Sequence, residues 1–190
     1  MPEHEKTGYE KKLLKEIYET VEGAQIKKCI QCGTCAGSCP VVEWMDNSPR
    51  KIFELIKEGL ALEALSSNTP WVCASCYLCT VRCPKNIKIT DVMYAVKRLA
   101  IKEKAVPRGV KSHILAQTFD RLVHKYGRNA EMEMLVTYFL KTNPFNLIGM
   151  APVGMGLFFN RRLGILPHTI KGKKQIDAIV DKVKSLRNKK

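Results

Sequence analysis

Apolar residues recur at intervals of three and four along most of the chain, and that period predicts helices from end to end. Leu13, Leu14, Ile17, Tyr18 and Val21 mark one face of a helix over 9–22, with Gly23 as its stop. Ser48-Pro49 reads as a helix start, a capping hydroxyl followed by a proline in the first turn, and Ile52, Phe53, Leu55 and Ile56 follow before Gly59. A short helix from Leu60 to Leu65 uses Leu62 and Leu65, and Asn68-Thr69-Pro70 is expected to break the chain before Trp71. Thr90 or Asp91 is positioned to cap a helix carrying Val92, Ala95, Val96 and Leu99.

The period continues beyond Pro107-Arg108-Gly109, the clearest boundary in the chain. Leu115, Phe119, Leu122, Val123 and Tyr126 mark a helix ending at Gly127, and Leu135, Val136, Phe139 and Leu140 mark another ending before Asn143-Pro144. Ile176, Ile179, Val180, Val183 and Leu186 mark a last one, whose basic end, Arg187 to Lys190, complements the helix dipole. Residues 147–159 are the most apolar stretch, but one proline and three glycines interrupt them. They fall short of the ~20 residues of a bilayer-spanning helix, so no transmembrane segment is expected. Such a stretch either folds back on the core or is buried against a partner. The expected organisation is therefore a domain over 1–106 with an N-terminal helix, and a basic helical region over 107–190 that docks a partner.

The cysteines break the helical pattern. Cys29, Cys32, Cys35, Cys39 and Pro40 follow the spacing Cys-x-x-Cys-x-x-Cys-x-x-x-Cys-Pro, and Cys73, Cys76, Cys79, Cys83 and Pro84 repeat it. These are all eight cysteines. In this spacing three thiolates wrap three corners of a [4Fe-4S] cube while the fourth serves the other cluster. Cys29, Cys32, Cys35 and Cys83 are therefore expected at one cluster, and Cys73, Cys76, Cys79 and Cys39 at the second, with all eight as metal ligands. Structural zinc is a weaker reading, because zinc knots usually leave wide gaps between their cysteine pairs. A disulfide framework is weaker still: Met1 to Lys28 is rich in Glu and Lys and has no apolar run resembling a secretory signal, which favours a reducing cytoplasm.

Between the ligands the two loops differ. Gly33, Thr34, Ala36, Gly37 and Ser38 are small and let backbone N–H groups reach the cluster sulfurs, whereas Tyr77, Leu78 and Val81 make the second loop bulkier and more apolar. The two reduction potentials are therefore expected to differ. Trp44 and Trp71 flank the loops, where they would shield a cube or simply pack.

Charge changes the picture in the second half. The 190 residues carry a formal net charge of +14, and residues 84–190 hold 22 basic and seven acidic groups. The basic residues are dispersed and no nucleic-acid signature accompanies them, so a solvated or partner-docking face is expected rather than nucleic-acid binding. The four histidines, His4, His113, His124 and His168, are scattered without ligand spacing. With no phosphate-binding glycine loop or dinucleotide fingerprint, and no ninth cysteine, the chemistry left is relay of electrons to an active site on another chain, with no catalytic residue here.

Cys-Ile-Gln-Cys-Gly-Thr-Cys-Ala-Gly-Ser-Cys-Pro from Cys29, Ser48-Pro49-Arg50-Lys51-Ile52, Trp71-Val72-Cys73-Ala74-Ser75-Cys76, Arg82-Cys83-Pro84 and Asp91-Val92-Met93-Tyr94 together resemble the C subunit, the iron–sulfur electron-transfer subunit, of the soluble heterodisulfide reductases of methanogenic archaea. The likeness is close over about 9–105 and looser beyond. It implies a mostly α fold, an α-helical ferredoxin with two [4Fe-4S] clusters plus a helical C-terminal extension, and the eight cysteines as ligands. It also implies a three-subunit oxidoreductase. In it a flavin- and iron–sulfur-containing partner, the A subunit of heterodisulfide reductase, feeds this chain, and the catalytic B subunit reduces the coenzyme M–coenzyme B heterodisulfide. A hydrogenase or formate dehydrogenase would join through the flavin-containing partner. The chain has no Cys-Cys pair, so it lacks the CCG motifs of the catalytic subunit. The alternative function is a ferredoxin-like subunit of another dehydrogenase complex.

Overall fold

The computed structural model describes residues 3–20, 22–160 and 168–188; Val21, Lys189 and Lys190 lie outside them. Among the described residues the regular structure is helical, with no strand. The chain divides into two compact units, Met1–Val110 and Lys111–Lys190.

Among the described residues the first unit holds seven α-helices: α1 (Glu3–Glu19), α2 (Thr34–Gly37), α3 (Pro49–Glu58), α4 (Ala61–Leu65), α5 (Thr69–Val72), α6 (Leu78–Val81) and α7 (Ile89–Lys102). Long helices α1, α3 and α7 supply most of its core. Leu13 and Ile17 of α1, Ile52, Phe53 and Ile56 of α3, and Val92 and Val96 of α7 are buried in one cluster with Leu65 of α4. Truncating any of the larger side chains to alanine would cost about 2–5 kcal/mol. Polar pairs fix the outer edges of α1 and α7, with Lys102 donating to Glu16 at 2.7 Å and the Tyr9 hydroxyl donating to Glu103 at 2.7 Å.

Helix α3 starts and stops as its sequence dictates. The Lys51 N–H donates to the Ser48 hydroxyl, Pro49 occupies the first turn, and the chain leaves the helix at Gly59 in the left-handed region. Three other expectations are corrected. Helix α1 ends at Glu19 and Gly23 opens a 3-10 turn over Gly23–Lys28. Its hydrogen is needed for closeness, because a Cβ there would lie 1.9 Å from the Ile17 carbonyl oxygen. The break after α4 falls at residues 66–68, not up to Trp71, because Thr69 already begins α5, with Pro70 in its first turn, the place where a missing N–H costs least. Neither Thr90 nor Asp91 caps α7; Thr90 is buried inside the first turn, and its N–H donates to the Thr80 hydroxyl of α6.

The second unit holds α8 (Ser112–Tyr126), α9 (Glu131–Thr142), α10 (Phe145–Phe159) and α11 (Lys173–Asn188). Helices α8 and α9 pack together, and α9 packs on α10. The turn between α8 and α9 is closed by Glu133, which accepts from the Tyr126 hydroxyl at 2.7 Å and from Lys125 at 3.0 Å. The apolar stretch is a continuous helix despite Pro152, and it is not folded inward: Phe145, Ile148, Val153, Met155 and Phe159 are each at least 60% exposed. Among the described residues no helix is long and apolar enough to cross a membrane.

Candidate metal centre

Each cysteine motif folds into the same backbone. Within four residues of the first cysteine the chain passes twice through the left-handed region, at Gln31 and Gly33 in the first motif and at Ser75 and Tyr77 in the second. A one-turn helix then begins, α2 after Gly33 and α6 after Tyr77, with no side chain capping it. These two left-handed residues swing the chain round so that the first, second and third cysteines come to one side. The fourth cysteine follows once the one-turn helix has ended. Helices α2 and α6 pack on each other, and each also packs on the long helix that follows it, α2 on α3 and α6 on α7.

Two clefts, each partly open to solvent, flank this α2–α6 contact. Cys29, Cys32, Cys35 and Cys83 line the first, together with Gln31 and Arg50. Cys39, Cys73, Cys76 and Cys79 line the second, together with Tyr77 and Thr90. Each cavity thus has three cysteines from one motif and the fourth from the other. Among the described residues no group of three His, Cys, Asp or Glu side chains is gathered tightly enough to hold a single ion. The thiols surround a volume, not a point.

Two hydrogen-bonded ties carry each motif's tail to the other motif's approach. Behind the second cavity, Asp46 accepts from the Asn68 N–H at 2.8 Å and from the Thr69 hydroxyl at 3.1 Å, and the Ser67 hydroxyl also donates to it. Its own N–H donates to the Asn68 side chain at 2.9 Å. This clamp fixes the segment after Cys39 to the segment before Cys73. Burial works against the charge of Asp46, but these bonds outweigh it and hold the carboxyl below its usual range. At the first cavity the Lys88 N–H donates to Gln25 Oε1 at 3.0 Å, tying the segment after Cys83 to the approach to Cys29. Neither Asp46 nor Gln25 stands out in the sequence; the only signal is that a crossed fourth cysteine needs something to hold its tail.

The thiols occupy unlike surroundings. Burial pushes Cys35 up to about 11, with the Cys29 and Cys79 thiols adding to it, and burial likewise raises Cys79. Cys35 in α2 and Cys79 in α6 are thus the more enclosed thiols, the inner corners of the two cavities. Cys32 and Cys76 are exposed outer corners, and hydrogen bonds from Thr34 lower Cys32. Cys29 Sγ accepts from the Gln31 N–H at 3.4 Å, and Cys79 Sγ lies 3.7 Å from the Thr90 hydroxyl. Gln31 adds an orphan: its side-chain nitrogen and oxygen are both buried with no protein partner, in the wall of the first cavity. Four soft thiolate donors, a backbone N–H aimed at sulfur and a buried amide without a partner fit a cubane group.

Other expected shell residues are placed differently. Of the bulky second loop only Tyr77 lines the cavity; Leu78 is 40% and Val81 82% exposed. Trp44 is 66% exposed and shields neither cavity, while Trp71 packs against the core with Lys97 over its ring at 5.8 Å.

Comparison with known proteins points to the same stretch of chain. Residues 25–87 match the 4Fe-4S dicluster domain. The chain is 37% identical over 91 residues to the iron-sulfur C subunit of the CoB–CoM heterodisulfide reductase of Methanopyrus kandleri, covering 48% of this chain and 47% of that protein. It is 38% identical over 91 residues to the C subunit of the H(2):CoB-CoM heterodisulfide,ferredoxin reductase of Methanothermobacter marburgensis, covering 46% and 49%. A protein of Archaeoglobus profundus described as like the heterodisulfide reductase C subunit is 34% identical over 110 residues, with 56% of each chain covered. The chain spans about half the length of the curated relatives it matches. Residues 25–87 are thus similar to a 4Fe-4S dicluster domain, and their eight cysteines support two [4Fe-4S] clusters, in a chain similar to the iron–sulfur C subunit of heterodisulfide reductases.

Proposed function

We propose that this chain is the electron-transfer subunit of a cytoplasmic heterodisulfide reductase complex. Cys29, Cys32, Cys35 and Cys83 hold one cluster; Cys73, Cys76, Cys79 and Cys39 hold the other. Bound there, each group supplies a one-electron couple. The chain's own residues hold the two couples side by side, bury their inner corners and leave their outer corners near the surface for partners. A flavin- and iron–sulfur-bearing partner delivers electrons, and a separate catalytic partner uses them to reduce the coenzyme M–coenzyme B heterodisulfide. With all eight thiols committed as ligands, no cysteine remains for catalysis on this chain, and the disulfide chemistry falls to the partner. Helix α10, apolar on all sides and exposed, docks a partner, because a helix of that composition is otherwise found only in interiors.

The crossed lining of the two cavities is the observation that carries this reading. The test is anaerobic purification of the chain with its co-eluting partners, followed by iron analysis and addition of heterodisulfide to the reduced complex. About eight irons per chain and oxidation of both clusters on addition support it; two zinc ions, or clusters that heterodisulfide leaves reduced, overturn it. The likeness covers only half of each relative, which also suits a ferredoxin-like subunit of another dehydrogenase complex. The identity of the co-eluting chains separates the two.

A further inference from the structure

The two cavities differ in the charge that surrounds them. Arg50 and Lys85 line the first, and Lys57 stands beside it, donating to the Cys29 carbonyl at 3.1 Å. Arg50 crosses the thiolate loop itself, its Cδ lying 3.8 Å from where a Cβ on Gly33 would be. One carboxylate opposes them, Glu54, 3.9 Å from Arg50 and 3.3 Å from Lys51. The orphaned Gln31 amide adds an uncharged donor to the same wall. No charged side chain lines the second cavity among the described residues. The charges that its lining residues meet are negative: Asp46 accepts from Thr69, and Asp91 lies 3.4 Å from the Tyr77 hydroxyl.

Taking one electron makes a thiolate-bound cube more negative, so nearby cations and donors favour the reduced form while carboxylates and an apolar wall disfavour it. Resting on the function proposed above, we infer that the first cavity holds the higher-potential cluster, that Arg50 is its potential-setting residue, and that electrons therefore enter at the second cavity and leave from the first. The internal step moves one electron: the site of Cys73, Cys76, Cys79 and Cys39 is oxidised by one, the site of Cys29, Cys32, Cys35 and Cys83 is reduced by one, and no bond or proton changes hands. The reduced flavin-bearing donor then docks beside exposed Cys76, and the disulfide-reducing acceptor beside exposed Cys32.

Potentiometric EPR titration of the anaerobic holoprotein tests this. Cys32→Ser and Cys76→Ser each alter one outer ligand and so assign the two signals. Cys32→Ser should alter the higher-potential signal. Arg50→Gln should lower that midpoint alone, shifting the electron distribution between clusters about tenfold, or about 59 mV for a one-electron couple. Arg50→Lys, which keeps the charge, should retain the wild-type value. Iron content of each variant confirms that both clusters are loaded. A higher midpoint that responds to Cys76→Ser, or an Arg50→Gln midpoint unchanged at full iron content, overturns the inference. A preparation with zinc or with one cluster overturns the proposed function instead.

Discussion

Gly33 and Tyr77 occupy the same place in two copies of one loop, and they meet the same demand differently. Both adopt the left-handed region, at φ 81° and 61°. Glycine does so at no steric cost, whereas a side chain costs roughly 1–2 kcal/mol there. In the first loop the space above the glycine is crossed by an arginine stem; in the second the tyrosine itself forms the wall, its hydroxyl reaching Asp91. One backbone geometry thus supports a cationic site and a neutral one, because the turn is set by the ligand spacing and the wall by the residue at its left-handed corner.

The largest effect should come from breaking the exchange of ligands between the copies. Cys39→Ser should abolish or alter the cluster of Cys73, Cys76 and Cys79 and leave that of Cys29, Cys32 and Cys35, while Cys83→Ser should do the reverse; EPR of the reduced variants distinguishes them. Loss of the neighbouring cluster in each case would remove the crossed assignment.

Next comes the clamp behind the second cavity. Asp46→Asn weakens several charge-assisted bonds and should destabilise the first unit by about 2 kcal/mol at neutral pH, read by thermal unfolding. The folded carboxyl is lowered, so its contribution is complete above the ordinary Asp value near 4 and is lost as pH falls through the lowered one. The gap between wild type and variant should therefore narrow in acid and stay constant from about pH 6 to 8. Gln25→Ala, at the uncharged tie of the first cavity, should cost less, about 1 kcal/mol.

The last two changes act on the corner residues. Gly33→Ala should cost about 1 kcal/mol from its backbone alone, since the nearest side-chain atom leaves ordinary room for a methyl. Tyr77→Gly relieves roughly 1–2 kcal/mol of backbone strain but adds ~0.5–1 kcal/mol of unfolded-state freedom, so the backbone terms leave a gain of at most about 1.5 kcal/mol. Its readout is the lower midpoint, which should rise as water reaches the second cavity. A midpoint unmoved by the change would show that Tyr77 does not govern that wall.

The cysteine spacing and the caps of α3 are legible in sequence because they are local: a ligand loop, a hydroxyl three residues before an N–H, a proline in the first turn. What escapes is what depends on distant partners. Gly23 looks like a helix stop but is small because the Ile17 carbonyl lies against it. Thr90 looks like a cap but is itself capped by Thr80, which only the α6–α7 packing supplies. Asp46 looks like one more surface acid until residues 67–69 fold over it. Residues 147–159 leave their conformation open in sequence, and the three glycines and Pro152 do not prevent a continuous α10.

The exchange of fourth cysteines also sets a schedule for biosynthesis. The first cavity has no complete wall until Cys83 has been made, and no tie until Lys88 has, although its other three thiols are in place by residue 35. On the proposed crossed ligation, Cys29, Cys32 and Cys35 lack their fourth partner for some fifty residues of further synthesis, so iron delivery would wait for, or be chaperoned through, that interval.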